Sequence, residues 1–310
     1  MGTTLNTGGP EALHQLADSC SRQGFECSLH YYEGDLELAA HFACYSRVHI
    51  VDEIPDEPDC VVVVPESAWS QVQRFRRARV VLWWLAVDET PGLVSHLGNP
   101  EILHACQSEY ACRFVQERGA ARSYLLQDYI NETYRAVSGG SRLNLVAFNP
   151  RKGIEFTRLI VARLGETYGF APLTGLDREQ VKDLLRRAKA YIDFGPHPGK
   201  DRLPREAALM GSCVIVGDRG SARNAIDVPI PAAYKLAVLQ TPAVDGKRIK
   251  LEFDLDATCQ LIDSVMLDFE RHAQAFEPYV KRIALERDEF DRQVGALFGE
   301  LRDRATRGLL

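Results

Sequence analysis

Tyr191-Ile-Asp-Phe-Gly-Pro-His-Pro-Gly-Lys-Asp-Arg-Leu-Pro-Arg-Glu-Ala-Ala-Leu-Met-Gly-Ser-Cys-Val-Ile-Val-Gly217 sets charged, glycine and proline residues between two apolar runs. The second run, Cys213 to Gly217, reads as a short buried strand of the continuous apolar kind that a parallel sheet requires. Between the runs, Asp193 to Arg205 carries two glycines and three prolines beside His197, Lys200, Arg202 and Arg205. Backbone and cations there can come close to an anion. Pro204 opens a helix with Glu206 in its first turn, and Gly211 ends it. The stretch is therefore a strand, a ligand loop, a helix and a strand.

The same alternation runs outward in both directions. Towards the N-terminus, Glu11 to Gln23 is an amphipathic helix stopped by Gly24, and Glu26 to Tyr32 is a strand. Cys60 to Pro65 is a buried strand, Trp69 to Arg77 a helix and Val80 to Val87 another strand. Further units follow over 100–106, 110–118 and 123–127. Val137-Ser-Gly-Gly-Ser-Arg142 reads as a linker, after which Leu143 to Phe148 restarts the pattern as a strand. Gly153 to Leu164 is a helix, Ala171 to Leu173 a strand, Arg178 to Arg187 a helix and Ala190 to Phe194 a strand. From Asp256 onward the pattern predicts two long helical segments separated near Pro278, with no strand. Strand-helix repetition of this kind predicts an α/β fold of two doubly wound parallel sheets. The expected division is 1–138, 139–255 and a helical extension over 256–310 that packs across both domains.

At 310 residues and 45% hydrophobic composition the chain can bury two cores. No apolar run approaches the roughly 20 residues that span a bilayer, and no signal peptide is visible, so a cytoplasmic protein is expected, with peripheral contact at the inner face of a membrane left open. Eight scattered cysteines without a C-x-x-C pair argue against zinc and against a disulfide framework, and predict reduced, mostly buried thiols. Charge is uneven. Residues 1–140 hold 10 basic and 19 acidic side chains, residues 141–235 hold 16 and 10, and residues 236–310 hold 11 and 14. A basic middle in an acidic protein points to a local anion site and away from nucleic acid. The alternative is a solvated helix face formed by Arg178, Lys182, Arg186, Arg187 and Lys189.

Four segments carry a family resemblance: Thr7 to Gln15, Val64-Pro-Glu66 with Trp83 to Asp88, Asn149-Pro-Arg-Lys-Gly153, and the opening loop with Gly220-Ser-Ala222. Over nearly its whole length the chain resembles the GT-B glycosyltransferases, specifically bacterial enzymes related to the family 4 sugar-nucleotide transferases of surface-polysaccharide loci. The resemblance implies two Rossmann-like domains facing across a cleft, with C-terminal helices crossing back over the first. It implies transfer of a sugar from a UDP- or GDP-linked donor to a glycan or lipid-linked hydroxyl, with neither metal nor other cofactor. A sugar-nucleotide epimerase and a non-catalytic nucleotide-sugar-binding protein are the alternatives.

Residue roles follow from the resemblance and from charge. Gly8 and Gly9 open the first helix where free N–H groups face an anion, or are a plain capped start. Arg151 and Lys152 lie where the family places a basic pair on the diphosphate. Glu206 matches the acid that binds the ribose, its alternative being simple stabilisation of the helix dipole. Lys200 and Arg202 stand near phosphate, and Gly220 with Ser221 wraps the nucleotide. Eight positions before Glu206 the family has an acid and this chain has Pro198, so contact with the donor sugar falls to His197, Lys200 or Asp201. Glu66 and Asp88 close N-domain strands, the right edge for an acceptor-side base, or cap the helices that follow. His197 completes the catalytic candidates. His14 and the pair Trp83 and Trp84 are expected to be packing residues. Only Met1 to Asn6 precede the Gly-Gly turn, which predicts a very short or truncated first strand.

Overall fold

The computed structural model describes residues 7–32, 38, 40–87, 97–134, 141–242 and 249–306. The chain divides into two compact units, one made of Met1–Tyr129 with Glu286–Leu310, the other of Ile130–Leu285. Both are built on parallel α/β sheets, as the alternating pattern predicts.

The first unit opens with helix α1 (Gly8–Arg22), ended by Gly24 at φ 80°. Strands β1 (Leu29–His30) and β2 (Ile50–Val51) form a two-residue parallel pair, so the strand expected over Glu26 to Tyr32 shrinks to its centre. The main sheet runs β3 (Val61–Pro65), β4 (Arg79–Trp84), β5 (Ile102–Cys106) and β6 (Ser123–Leu125), all parallel and in chain order. Helix α2 (Glu109–Glu117) is capped by the Ser108 hydroxyl, which accepts from the Ala111 N–H at 3.1 Å. The helix expected over Trp69 to Arg77 is instead a 3-10 helix over Glu66–Arg74, broken at Ala68. Asp56 explains its early end, because that carboxylate accepts the backbone N–H groups of Arg76, Arg77 and Ala78, which a continuing helix would need.

The last helix, Glu286–Thr306, packs on α1 within this unit. Phe290, Val294, Leu297 and Leu301 join the core around Trp83. Asp291 ties the two helices, accepting from Arg22 Nη1 at 2.7 Å and from Ser19 Oγ at 2.6 Å. Trp83 donates to the Leu126 carbonyl at 2.9 Å and Trp84 to His104 Nδ1 at 3.0 Å, which makes both indoles packing residues with their polar atoms satisfied.

The second unit contains β7 (Leu143–Phe148), α3 (Ile154–Leu164), β8 (Gly169–Pro172), α4 (Arg178–Arg187), β9 (Ala188–Asp193), α5 (Arg202–Leu209), β10 (Cys213–Gly217) and β11 (Lys235–Leu236). Its sheet has the order β8-β7-β9-β10-β11 with every pairing parallel. Within the unit the strands therefore run second, first, third, fourth, fifth, and the direction of winding reverses between β7 and β9. Val146, Ala147, Ala190 to Ile192 and Cys213 to Val216 are fully buried, the two-sided burial that accounts for their unbroken apolar runs. An antiparallel hairpin, β12 (Val238–Pro242) with β13 (Ile249–Phe253), lies outside every predicted element. Helices α6 (Leu255–Leu267), α7 (Phe269–Gln274) and α8 (Glu277–Ala284) complete the unit.

Two expectations about organisation are corrected. The units meet at Tyr129–Ile130, upstream of the predicted linker, because Ile130 and Tyr134 are already part of the second core. Residues 137–140 of that linker lie outside the described residues. Among the described residues, 256–306 forms four helices: α6 feeds the second core through Ile262 and Val265 and α8 through Tyr279 and Ile283, α7 packs Phe269 and Ala273 against that core, and the last helix belongs to the first unit. Pro278 sits in the first turn of α8, where its missing N–H costs nothing. None of the eight cysteines is in a disulfide, and five of them are buried. No helix among the described residues is long and apolar enough to cross a membrane.

Candidate functional site

In open parallel sheets, the carboxyl ends of the two strands at which the winding reverses leave a crevice, because their outgoing loops turn to opposite faces. In the second unit those strands are β7 and β9. Their outgoing loops are Asn149–Gly153 and Phe194–Asp201, the second being the glycine- and proline-rich loop between the two apolar runs of 191–217.

The two loops are in direct contact. Lys152 Nζ stands 2.7 Å from Asp201 Oδ2. A Cβ added to Gly195 would collide with Lys152 Cβ, and one on Gly153 would lie only 2.6 Å from the Phe194 carbonyl carbon. Gly153 also holds φ 60°, so glycine is required there twice over. The turn after β10 locks onto the same loop from its other side. Gly220 adopts φ 57° with its missing Cβ directed at the His197 carbonyl, Ser221 N–H donates to that oxygen at 2.9 Å, and the Ser221 hydroxyl donates to the Gly199 carbonyl at 2.5 Å.

Inside this frame sits a balanced set of charges. His197 is fully buried and turns Nδ1 to Asp201 Oδ2 at 2.9 Å and Nε2 to Asp193 Oδ1 at 3.9 Å. Asp193 also accepts from the Tyr191 hydroxyl and the Gly195 N–H, each at 3.0 Å. Burial pushes the Asp193 carboxyl above the usual carboxylate range. Burial opposes a charge on His197 as well, but the two carboxylates outweigh it and raise the imidazole above its ordinary value. Burial likewise works against the Asp201 anion, yet His197 and Lys152 together hold its carboxyl below the usual range. Ligand atoms of Asp193, His197 and Asp201 lie within 4.8 Å of one another, close enough for a metal ion. The imidazole, however, offers a different nitrogen to each carboxylate, and the Lys152 ammonium already stands against Asp201. Protein cations thus balance these acids.

Other residues singled out from the sequence fall around this centre. Arg151 is exposed, with its N–H on Asn149 Oδ1 at 3.0 Å. Helix α5 begins at Arg202, two residues before Pro204, and places Arg202 Nε 3.1 Å from Glu206 Oε1. Tyr134 hydrogen-bonds the same glutamate. Lys200 is buried, and Arg205, fully buried, donates to the carbonyls of Lys200 at 2.7 Å and Asp201 at 3.2 Å. Arg205 is therefore a brace for the loop. The solvated-face reading holds for Arg186 and Arg187, which are exposed, and fails for Lys182, buried with its Nζ 5.0 Å over the Tyr134 ring, and for Lys189, bonded to Asn144 and the Met266 carbonyl.

The remaining candidates lie in the first unit. Gly8 starts α1, and the Thr7 side chain makes no capping bond to it. A Cβ on Gly9 would meet Leu85 Cδ1 at 3.7 Å. Glu66 is buried at the carboxyl end of β3, and its Oε2 accepts the Leu85 N–H at 2.8 Å. Its carboxylate thereby joins the ends of β3 and β4. Asp88 lies outside the described residues, as do residues 1–6. His14 is a core histidine, stacked on Phe42 with centroids 3.9 Å apart and bonded to the Pro10 carbonyl at 2.7 Å and to the Tyr31 hydroxyl. Burial lowers its pKa to about 4.

Sequence reasoning missed Asp193 and Tyr134 and treated Arg205 as one cation among several. Asp193 ends a strand, where an acid reads as punctuation, and Tyr134 stands more than seventy residues before its glutamate.

No protein-family model matches the chain, and no curated protein matches it by sequence. Solved structures do match. The sucrose-phosphate synthase of Thermosynechococcus elongatus superposes with a TM-score of 0.69 at 12% identity, over 96% of this chain and 94% of that one. HepE of Anabaena in complex with UDP and glucose gives 0.66 at 11% identity over 97% and 98%, and its complex with UDP-glucose gives 0.64 at 11% over 95% and 97%. The chain thus has the GT-B fold implied by its sequence.

Proposed function

We propose that this chain is a glycosyltransferase that moves a sugar from a nucleotide-diphosphate sugar to a hydroxyl acceptor, a glycan or a lipid-linked one. The observation that carries the reading is the meeting of the Lys152 loop with the Asp193–Glu206 segment where the second sheet reverses its winding. Structures of the same fold hold UDP-glucose or UDP, which makes a UDP-linked donor the first to try and a GDP-linked one the second.

In this reading the exposed guanidinium of Arg151 and the ammonium of Lys152 face the diphosphate. Their charge offsets the negative charge that builds on the leaving phosphate as the glycosidic bond breaks, so they act more strongly in the transition state than on the bound donor. Glu206, oriented by Arg202 and Tyr134, accepts hydrogen bonds from the ribose hydroxyls. In this reading His197, walled off from solvent, acts from behind the site and not on the substrate itself. Glu66 and Asp88 are the first-unit carboxylates proposed to receive the acceptor proton, and Glu66→Gln is the variant that weighs that role. A loss of about 10²–10⁴ in turnover, in a variant that loses no more than about 1 kcal/mol of stability, assigns it to catalysis.

Isothermal titration with UDP-glucose, GDP-glucose, UDP and uridine tests the proposal. It expects saturable binding of one nucleotide series with the diphosphate required. No heat with any nucleotide at millimolar concentration contradicts it. Incubation with the bound donor alone, followed by product analysis, separates transfer from epimerisation, and binding without turnover on any hydroxyl acceptor identifies a binding protein.

A further inference from the structure

We propose that His197 is a positioning residue of this site: through the Asp201 carboxylate that it shares with Lys152, its charge decides how much of the lysine's charge is left for the donor diphosphate. The inference rests on the function proposed above and goes beyond it.

The geometry is a chain of four groups from three elements. Asp193 comes from the end of β9, His197 and Asp201 from the loop after it, and Lys152 from the loop after β7. The distances along the chain are 3.9, 2.9 and 2.7 Å. Among the described residues, these three partners are the charged groups that act most strongly on His197. The turn after β10 brings backbone, the Ser221 hydroxyl and the Arg219 guanidinium to its loop, the last donating from Nη1 to the Phe194 carbonyl at 3.4 Å. Side-chain exposure rises along the chain, from 1% at Asp193 and His197 to 20% at Asp201 and 25% at Lys152. The buried end is the imidazole and the solvent-facing end is the ammonium.

With His197 protonated, two anions and two cations leave the set neutral. Asp201 then divides its charge between the imidazolium and the ammonium, and Lys152 keeps a net pull on an incoming anion. With His197 neutral the set carries one negative charge, and Asp201 is balanced by Lys152 alone. The donor diphosphate then meets an ammonium already cancelled, with a second carboxylate behind it. One unit charge several ångströms away in a partly solvated site changes anion affinity by about tenfold. His197 is raised above the ordinary imidazole value, so the favourable state is complete below about pH 6.5 and is lost as pH rises through the folded-state pKa.

The test pairs two readouts on the full-length protein. Imidazole NMR signals locate the His197 titration in the free protein. The expectation is a pKa above 6.5 that falls in Asp201→Asn, which removes a flanking anion. The second readout is the affinity for UDP-glucose between about pH 5.5 and 8.5, where its diphosphate diester is fully ionised and its uracil N3–H stays protonated. It should weaken about tenfold through that same titration. Uridine, lacking phosphate, should bind with no pH dependence, and His197→Gln should flatten the UDP-glucose profile at its weaker level while leaving uridine unchanged. A structural role alone would weaken both ligands together. A His197 pKa at or below 6.5, or a UDP-glucose profile that keeps its slope in His197→Gln, overturns the proposal. If UDP-glucose binds at no pH, the function proposed above is what fails, and the imidazole titration alone decides the charge state argued here.

Discussion

His14 in the first unit and His197 in the second are both completely buried, yet their surroundings push them in opposite directions. Around His14 are a carbonyl, a tyrosine hydroxyl and the face of Phe42, and burial outweighs the opposing pull of the Pro10 carbonyl and the Glu11 carboxylate, lowering it to about 4. Around His197 are two carboxylates, and they win, raising it. Burial therefore does not decide a histidine's charge; the partners enclosed with it do. The contrast extends to the carboxyl edges of the two sheets. In the first unit the polar side chains there are committed to backbone, as Glu66 is to Leu85, which fixes strand ends. In the second they are committed to one another across loops, as Lys152 is to Asp201, which leaves charge that a ligand can reorganise.

The largest effect that bears on this contrast comes from Gly220→Ala. Its Cβ would collide with the His197 carbonyl at a positive φ, for a cost of roughly 3 kcal/mol or more. Hydrogen exchange of the β9 and β10 amides should accelerate, and unchanged exchange would mean that the turn after β10 does not hold the loop. Acid should next expose His14. The unfolded chain takes up its proton near pH 6.5 while the folded one resists until about 4, so stability falls across that window by about 3 kcal/mol. All three tryptophans, 69, 83 and 84, lie in the first unit, so the fluorescence midpoint in urea reports it, and His14→Leu should flatten the slope. Lys152→Ala comes third. Loss of a charged donor to the diphosphate weakens UDP-glucose binding by about 10- to 100-fold, with uridine unaffected. Glu66→Gln is smallest, about 1 kcal/mol in urea, because the amide oxygen still accepts the Leu85 N–H.

Much of the second unit was legible in the sequence because two-sided burial writes itself as unbroken apolar runs. Leu143–Phe148 and Cys213–Gly217 stand where those runs predict, and α4 matches from end to end behind its Asp177 capping box. Misreadings occur where distant partners overrule local pattern. Asp56 ends the 3-10 helix from twenty residues away, and Lys182, polar by type, is taken into contact with Tyr134. The candidate site shows the same division. Its loop, its glycines and Lys152 were visible as residue types at turn positions. The pairing of Lys152 with Asp201 and of His197 with Asp193 was not, since only the fold brings two strand-end loops together.

The most direct test of the central claim, that the donor nucleotide sits at the β7–β9 reversal, is hydrogen–deuterium exchange with and without saturating UDP-glucose. The account predicts slowed exchange concentrated in peptides covering 149–153 and 195–206. Slowed exchange confined to the first unit, or none at millimolar ligand, would contradict it.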